Sequence, residues 1–90
     1  MTGPSLTELL GGTRAHALRL LVAEHTTTGL ARELAVTAAA ASMQARTLRE
    51  AGLIVSKRDG KAMWHWCTPL GLDLLRHSES RPADTASGYR

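Results

Sequence analysis

Five basic side chains lie close together in the segment from Thr37 to Trp66, where they could neutralise a polyanion. They are Arg46, Arg49, Lys57, Arg58 and Lys61, and the segment holds two acidic residues, Glu50 and Asp59. Its net charge is therefore +3, which equals the formal net charge of the whole 90-residue chain. Guanidinium and ammonium groups grouped in this way suit the phosphates of a nucleic-acid backbone, although an ordinary solvated surface carries such charges too.

The elements that would position these side chains are two short helices, a turn and a β-hairpin. Apolar residues at helical spacing predict a helix over residues 29–35 and a second one over 38–51, whose buried stripe is Ala41, Ala45 and Leu48. Thr37 is the predicted N-cap of the second helix, and Gly52 follows its end. Residues 53–58 and 61–67 read as strands joined by a turn at Asp59-Gly60. This order predicts a mainly α fold with a small β-hairpin, a winged helix-turn-helix.

Further helices are predicted on both sides of this core. Ser5 and Glu8 have the spacing of a capping box before a helix over residues 6–10. Thr13 is the predicted N-cap of a second helix, which ends near residue 24 or 25 and buries Ala17, Leu18, Leu21 and Val22. Thr68 and Pro69 begin a last helix. The polar composition beyond His77 predicts one domain over residues 1–77 and a flexible tail over 78–90.

Side chains off the buried stripe of the 38–51 helix are the candidates for contact with DNA. These are Thr37, Ala38, Ala39, Ser42, Met43, Gln44, Arg46 and Arg49. The Gln44 amide matches the N6 donor and N7 acceptor of adenine, and Ser42 suits a phosphate or a base. Met43 either contacts a thymine methyl group or fills a gap against a neighbouring helix, and both interpretations stay open. In the hairpin, Lys57, Arg58 and Lys61 surround the turn, so they can contact the backbone or the minor groove.

The stretch REAGLIVSKRDGKAMWHWCTPLG resembles the RExGLVxxRRxGRxxxYxLTPLG-type stretch of ArsR-type (arsenical-repressor-like) bacterial transcriptional regulators. LLGGTRAHALRLLVAE is similar to the helices that precede it in that family, so the resemblance runs from about Leu6 to Leu75. This resemblance implies a repressor of transcription that binds double-stranded DNA as a homodimer. The family often has arginine and histidine at the positions of Met43 and Gln44, so this chain departs from the family pattern at these two positions.

The resemblance also implies dimerisation through the terminal helices, for which the apolar candidates are Leu6, Leu9, Leu10, Leu72 and Leu75.

A second hypothesis of function concerns the outer face of the hairpin. The family pattern turns Met63, His65 and Cys67 inward, which places Trp64, Trp66 and Val55 outward as a partner surface for another protein. A strand shifted by one residue, or a tail folded over the indoles, would instead cover them.

The composition of the chain argues against a membrane protein, a disulfide-bonded protein, a metalloprotein and an enzyme. No apolar run approaches the roughly 20 residues of a membrane span, so we expect a cytoplasmic protein that does not bind membranes. The single cysteine, Cys67, cannot form an internal disulfide. Asp73 and His77 are four residues apart, but a surface ion pair explains them better than half of a metal site. We therefore expect no catalytic site, metal or cofactor, and any effector stays unknown.

Overall fold

The computed structural model describes the backbone of residues 5–87 and the side chains of residues 5–78. The elements are α1 (Leu6–Leu10), α2 (Gly12–Leu20), β1 (His25–Thr26), α3 (Thr27–Leu34), α4 (Ala38–Glu50), β2 (Ile54–Asp59), β3 (Ala62–Cys67) and α5 (Pro69–Ser87). The strands form an antiparallel sheet in the order β1-β3-β2. Helices α3 and α4 with the β2–β3 hairpin make the predicted winged helix-turn-helix. Within residues 5–87 no helix is long and apolar enough to cross a membrane.

The core is built from the apolar stripes of the helices. Its largest fully buried side chains are Leu6, Leu18, Leu21, Leu30 and Leu48, which belong to α1, α2 and its C-cap, α3 and α4. Ala41 and Ala45 are buried beside Leu48, as the helical spacing predicted. Because one stripe of α4 is fixed against this core, its opposite face is left to solvent.

The caps predicted for α1 and α4 are present. The Ser5 hydroxyl accepts a hydrogen bond from the Glu8 backbone N–H while the Glu8 carboxylate accepts one from the Ser5 N–H. The Thr37 hydroxyl likewise accepts from the backbone N–H of Ala40 at the start of α4. Gly52 follows the end of α4 with φ of 77°. Each cap pairs a backbone group that the helix leaves without an internal partner, which fixes where the helix starts or stops.

Helix α2 differs from the prediction at both ends. Gly11, rather than Thr13, is the N-cap, and it makes no side-chain capping bond. The helix ends at Leu20 because the Leu21 N–H donates to both the Ala17 and Leu18 carbonyls, which tightens the last turn. Val22 was therefore wrongly placed in the buried stripe. It lies beyond the helix, and 59% of its surface is exposed.

The sheet corrects two further details. Strand β1 was not predicted, because two residues are too few to give an alternating pattern; His25 pairs with His65 and Thr26 with Trp64. In the hairpin Asp59 pairs directly with Ala62. The turn therefore consists of Gly60 and Lys61, one residue later than predicted, and Gly60 has the expected positive φ of 63°.

Helix α5 continues to Ser87, beyond the predicted tail boundary at His77. The polar composition of residues 78–87 means that they have no apolar face to bury. It does not prevent α5, which is already formed over the preceding residues, from continuing through them. The start of α5 is as predicted, since the Thr68 hydroxyl accepts a hydrogen bond from the Gly71 N–H. The division of the chain into a domain and a tail at residue 77 stays a prediction.

Candidate nucleic-acid interface

Helix α4 presents an open face of small, polar and basic side chains. Its exposed residues on this side are Ala38, Ala39, Ser42, Met43, Arg46 and Arg49, and the N-cap Thr37 is exposed too. Met43 is 69% exposed, so it does not fill a gap against a neighbouring helix. The alanines at the N-terminus allow close approach of another surface to the backbone N–H groups there. An α-helix with such a face fits the major groove of B-DNA.

Gln44 does not belong to this open face. It is half-buried at the edge of the stripe of Ala41, Ala45 and Leu48, which corrects its assignment to the exposed side of the helix. Its amide oxygen accepts a hydrogen bond of 3.0 Å from Nε of Arg14, on the first turn of α2. The Arg14 side chain was not among the predicted site residues, because nothing in the sequence relates two residues 30 positions apart.

Arg46 is held only loosely. Its Nε lies 3.3 Å from a carboxylate oxygen of Glu50, one helical turn further along α4, and both side chains are largely exposed. Exposed ion pairs of this spacing contribute little, about 0.3–0.5 kcal/mol. The Arg46 guanidinium can therefore exchange Glu50 for a phosphate at small cost.

A cleft opens between α4, the start of α3 and the hairpin. Its volume is about 520 Å³, and its cationic wall consists of Arg49, Arg58 and Lys61. Four hydroxyl groups also line it, those of Ser42 on α4 and of Thr26, Thr27 and Thr28 at the start of α3, and Ala62, Met63 and His65 complete the lining. Three cations and four hydroxyls around one open cleft form a surface suited to phosphate oxygens. The cleft brings Ser42, Arg49, Arg58 and Lys61 of the predicted site together, whereas Lys57 lies outside it.

His65 on β3 joins the floor of this cleft to α3 and α4. It is 2% exposed, and its Nε2 and Nδ1 lie 2.7 Å from Thr27 Oγ1 and Ser56 Oγ respectively. Ser56 Oγ also accepts a hydrogen bond of 3.0 Å from Nη1 of Arg49. The two ring nitrogens of His65 are thus each paired with a hydroxyl group. In neutral imidazole one of these nitrogens donates and the other accepts.

This environment favours neutral imidazole. Burial lowers the pKa of His65 below its ordinary value of 6.5, and the positive charge of Arg49 lowers it further. The sequence placed His65 inward but gave no sign of its partners, since Thr27 and Arg49 belong to other elements. The histidine links the start of α3, the hairpin and the last turn of α4 through a single chain of hydrogen bonds.

Strand β3 follows the predicted alternation at its end: His65 and Cys67 are buried, whereas Trp64 and Trp66 are half-buried rather than fully exposed. Met63, which was predicted to face inward, is half-buried as well, and Val55, opposite Trp66, is exposed. A shift of the strand by one residue is therefore excluded. The two indoles line a second depression with Lys57, Arg58, Asp59 and Glu24. The use of this face as a partner surface stays a prediction.

The terminal helices are only partly available for dimerisation. Leu6 and Leu75 are buried in the core of a single chain, which corrects their assignment to a dimer interface. Leu10 is half-buried against the same core. Leu9 on α1 and Leu72 on α5 are exposed, as is Leu70 on α5, and the two helices contact each other. These exposed leucines therefore leave apolar surface on α1 and α5 in contact with solvent.

In the last helix Asp73 accepts a hydrogen bond from Arg76, which is three residues further along. The prediction paired Asp73 with His77, whereas the ion pair in the structure joins Asp73 to Arg76. Among the residues that the structure describes, no three histidine, cysteine, aspartate or glutamate side chains are grouped as a metal site would require.

Comparison with solved structures places this architecture among bacterial regulators. The chain is similar to M. tuberculosis Rv0081, with 28% identity, a TM-score of 0.75, and coverage of 88% of this chain and 82% of that one. It is similar to a possible transcriptional regulator for arsenical resistance, with 29% identity, a TM-score of 0.67, and coverage of 93% and 85%. No protein-family model and no curated protein sequence matches the chain.

A third similar structure is a complex of Lactococcus lactis ZitR, in a mutant form, with DNA. It has 26% identity and a TM-score of 0.73, with coverage of 97% of this chain and 63% of ZitR. ZitR is a zinc-responsive MarR family member. The fold is thus that of winged helix-turn-helix transcriptional regulators, and the likeness extends to a MarR-type as well as an arsenical-resistance regulator. Membership of the ArsR type in particular stays a prediction.

Proposed function

We propose that this chain is a transcriptional regulator that binds double-stranded DNA. The observation that carries the proposal is the cationic cleft of Arg49, Arg58 and Lys61 beside the exposed face of α4. With α4 in the major groove, the hairpin contacts the adjoining backbone or minor groove, and the cleft receives phosphates between the two. The likeness to ZitR, which was solved in complex with DNA, supports this arrangement.

The regulator acts as a homodimer in this proposal. Leu9, Leu70 and Leu72 leave apolar surface on the adjoining helices α1 and α5, and a second copy would cover it. A two-fold axis there would place the two α4 helices about one DNA turn apart, roughly 34 Å. By analogy with the ArsR-type regulators that the sequence resembles, we propose that the dimer is a repressor and that it acts in the cytoplasm.

Titration of the protein into a fluorescent random-sequence duplex at several salt concentrations tests this function. The proposal predicts binding whose affinity falls steeply with salt, because each phosphate contact releases condensed counterions. Selection from a library of random duplexes should then enrich a site with two related half-sites. Binding that does not depend on salt would contradict DNA binding by this surface, and a selection that enriches no sequence would contradict a sequence-specific regulator.

A further inference from the structure

Arg46 and Arg49 both lie on the exposed face of α4, but their guanidinium groups are held in different ways. Arg46 pairs with Glu50, and both side chains of that pair are largely exposed. Arg49 instead donates a hydrogen bond of 3.0 Å from Nη1 to Ser56 Oγ on strand β2. A long side chain that is already held in place loses less conformational entropy when it binds a ligand.

The hydrogen-bond partner of Arg49 is itself fixed by the core. Ser56 is half-buried, and its Oγ lies 2.7 Å from Nδ1 of His65, which is 2% exposed. The other ring nitrogen of His65, Nε2, lies 2.7 Å from Thr27 Oγ1. A hydroxyl oxygen has two lone pairs, so Ser56 can accept from Arg49 in either tautomer of the imidazole. A chain of hydrogen bonds from Thr27 through His65 and Ser56 therefore ends at the Arg49 guanidinium.

This chain joins the elements that surround the cationic cleft. Thr27 belongs to α3, Ser56 and His65 belong to the two strands of the hairpin, and Arg49 belongs to the last turn of α4. Thr27, His65 and Arg49 all line the cleft. The hydrogen bonds thus fix the Arg49 guanidinium relative to the walls that α3 and the hairpin form.

Most of the Arg49 guanidinium stays available to a ligand. The group has N–H donors on three nitrogens, and the bond to Ser56 uses only one N–H of Nη1. The remaining donors are enough for a bidentate contact with two oxygens of a phosphate. Ser56 therefore holds the guanidinium without using up its capacity to bind an anion.

We propose that Ser56 and His65 are positioning residues for DNA binding, which hold Arg49 ready to receive a phosphate of the DNA backbone in the cleft. Phosphate contacts carry no direct information about base sequence. The chain should therefore raise the affinity for every duplex alike and leave the choice of site to other residues. This inference rests on the proposed function, because it takes DNA phosphates to enter the cleft.

Titration of the full chain into a fluorescent random-sequence duplex, at several salt concentrations, tests the inference. Ser56→Ala removes the acceptor of Arg49 but no charge. It should lower the affinity by about 2- to 12-fold, the cost of ordering one long side chain at an interface. The slope of log affinity against log salt should not change, because the number of cations is the same. Arg49→Met removes a cation and should make that slope shallower by about 0.9 for each bound chain.

A double-mutant cycle separates positioning of Arg49 from a general effect on the fold. With Arg49→Met already in place, Ser56→Ala should cause no further loss of affinity, because the side chain that it positions is absent. Arg46→Met is the matched background, since it removes an equal charge from a side chain that pairs with Glu50 instead. There Ser56→Ala should keep its full effect. Ser56→Thr retains a hydroxyl and should restore most of the affinity that Ser56→Ala loses.

Ser56→Ala also takes a partner from buried His65, so its melting temperature is measured first. If the variant is too unstable for titration, Arg49→Lys and Arg46→Lys are compared in its place. Lysine keeps the charge but lacks the rigid fork of the guanidinium. Arg49→Lys should lower the affinity several-fold more than Arg46→Lys does, at an unchanged slope. Equal effects of the two lysine variants would overturn the inference.

The outcomes distinguish the inference from the proposed function. If Ser56→Ala has no effect in the wild type, or has the same effect with Arg49→Met, the positioning role is overturned. A shallower slope for Arg49→Met would show in that case that DNA binding through the cleft still stands. If removing the charges of Arg49, Arg58 and Lys61 together leaves the slope unchanged, the proposed function itself is wrong.

Discussion

His65 Nδ1 and Ser56 Oγ lie 2.7 Å apart across the β2–β3 ladder, and the same Ser56 oxygen accepts a hydrogen bond from Arg49. The direction of a cleft-lining guanidinium thus depends on a buried imidazole. His65 is the buried polar residue of a core made otherwise of aliphatic side chains and Cys67 in the described part of the chain. A buried polar group of this kind is stable only while all its hydrogen-bond partners are in place.

The first prediction concerns the pH dependence of stability. Because the pKa of His65 is lowered in the folded protein, the unfolded chain binds a proton more readily. The free energy of unfolding should therefore be fully retained above pH 6.5 and fall as the pH drops below it, until the lowered pKa is reached. The slope cannot exceed about 1.4 kcal/mol per pH unit for one group.

Urea denaturation of the wild type and of His65→Gln between about pH 7.5 and pH 5 measures this effect. The variant should lack the part of the slope that comes from His65. His16→Gln, which changes an exposed histidine, serves as the control and should keep the wild-type slope. Equal slopes for the wild type and His65→Gln would contradict the neutral, buried state of His65.

The second prediction concerns the approach of α5 to the start of the hairpin. A Cβ atom at Gly71 would lie 2.2 Å from the backbone oxygen of Leu53, which also accepts the Thr68 N–H. The backbone there cannot move without breaking that bond, so Gly71→Ala should destabilise the fold by about 3 kcal/mol, the upper end of the usual range for overpacking. Thermal or urea unfolding measures the difference.

Gly12→Ala is the matched comparison for this substitution. Gly12 is also helical, but a Cβ there would meet nothing within 4 Å. Alanine should therefore stabilise the protein by about 0.5–1 kcal/mol through its better helix propensity. If the two alanine variants had similar stability, the close approach of α5 to Leu53 would be wrong.

The third prediction concerns assembly. Leu9→Glu combined with Leu72→Glu places charges on the exposed apolar surface of α1 and α5, so the proposed dimer should dissociate while each chain stays folded. Sedimentation velocity measures the molecular mass, and circular dichroism checks the fold. Val22→Glu changes an equally exposed aliphatic residue outside these helices and should leave the dimer intact. If the wild type were a monomer at micromolar concentration and stayed a monomer when DNA was added, the proposed dimer would be wrong.

Local signals in the sequence were enough to predict most elements. The N-caps of α1, α4 and α5 are hydrogen bonds between residues three positions apart, so their spacing in the sequence identifies them. The cap residues are Ser5, Thr37 and Thr68. Errors occurred where the determinant was not local. Strand β1 exists only because β3 pairs with it, and the relation of His65 to Thr27 spans 38 residues.

The error at Gln44 has a different origin, because the sequence did contain the necessary signal. At about 100° per residue, Gln44 lies about 60° from Ala41 and about 40° from Leu48 around α4. It therefore had to fall at the edge of the buried stripe. What the sequence could not supply was the partner, since Arg14 reaches Gln44 only after α2 and α4 have packed.

The salt dependence of DNA binding by a hairpin variant tests the central claim most directly. Arg58→Ala with Lys61→Ala removes two cations from the cleft, and Arg19→Ala with Arg76→Ala removes the same charge from α2 and α5 as a control. For the hairpin variant, a plot of log affinity against log salt should become shallower by about one unit for each phosphate that the protein no longer neutralises. Affinity for all sequences should fall alike, and the control should keep the wild-type slope. An unchanged slope for the hairpin variant would contradict DNA binding through this cleft.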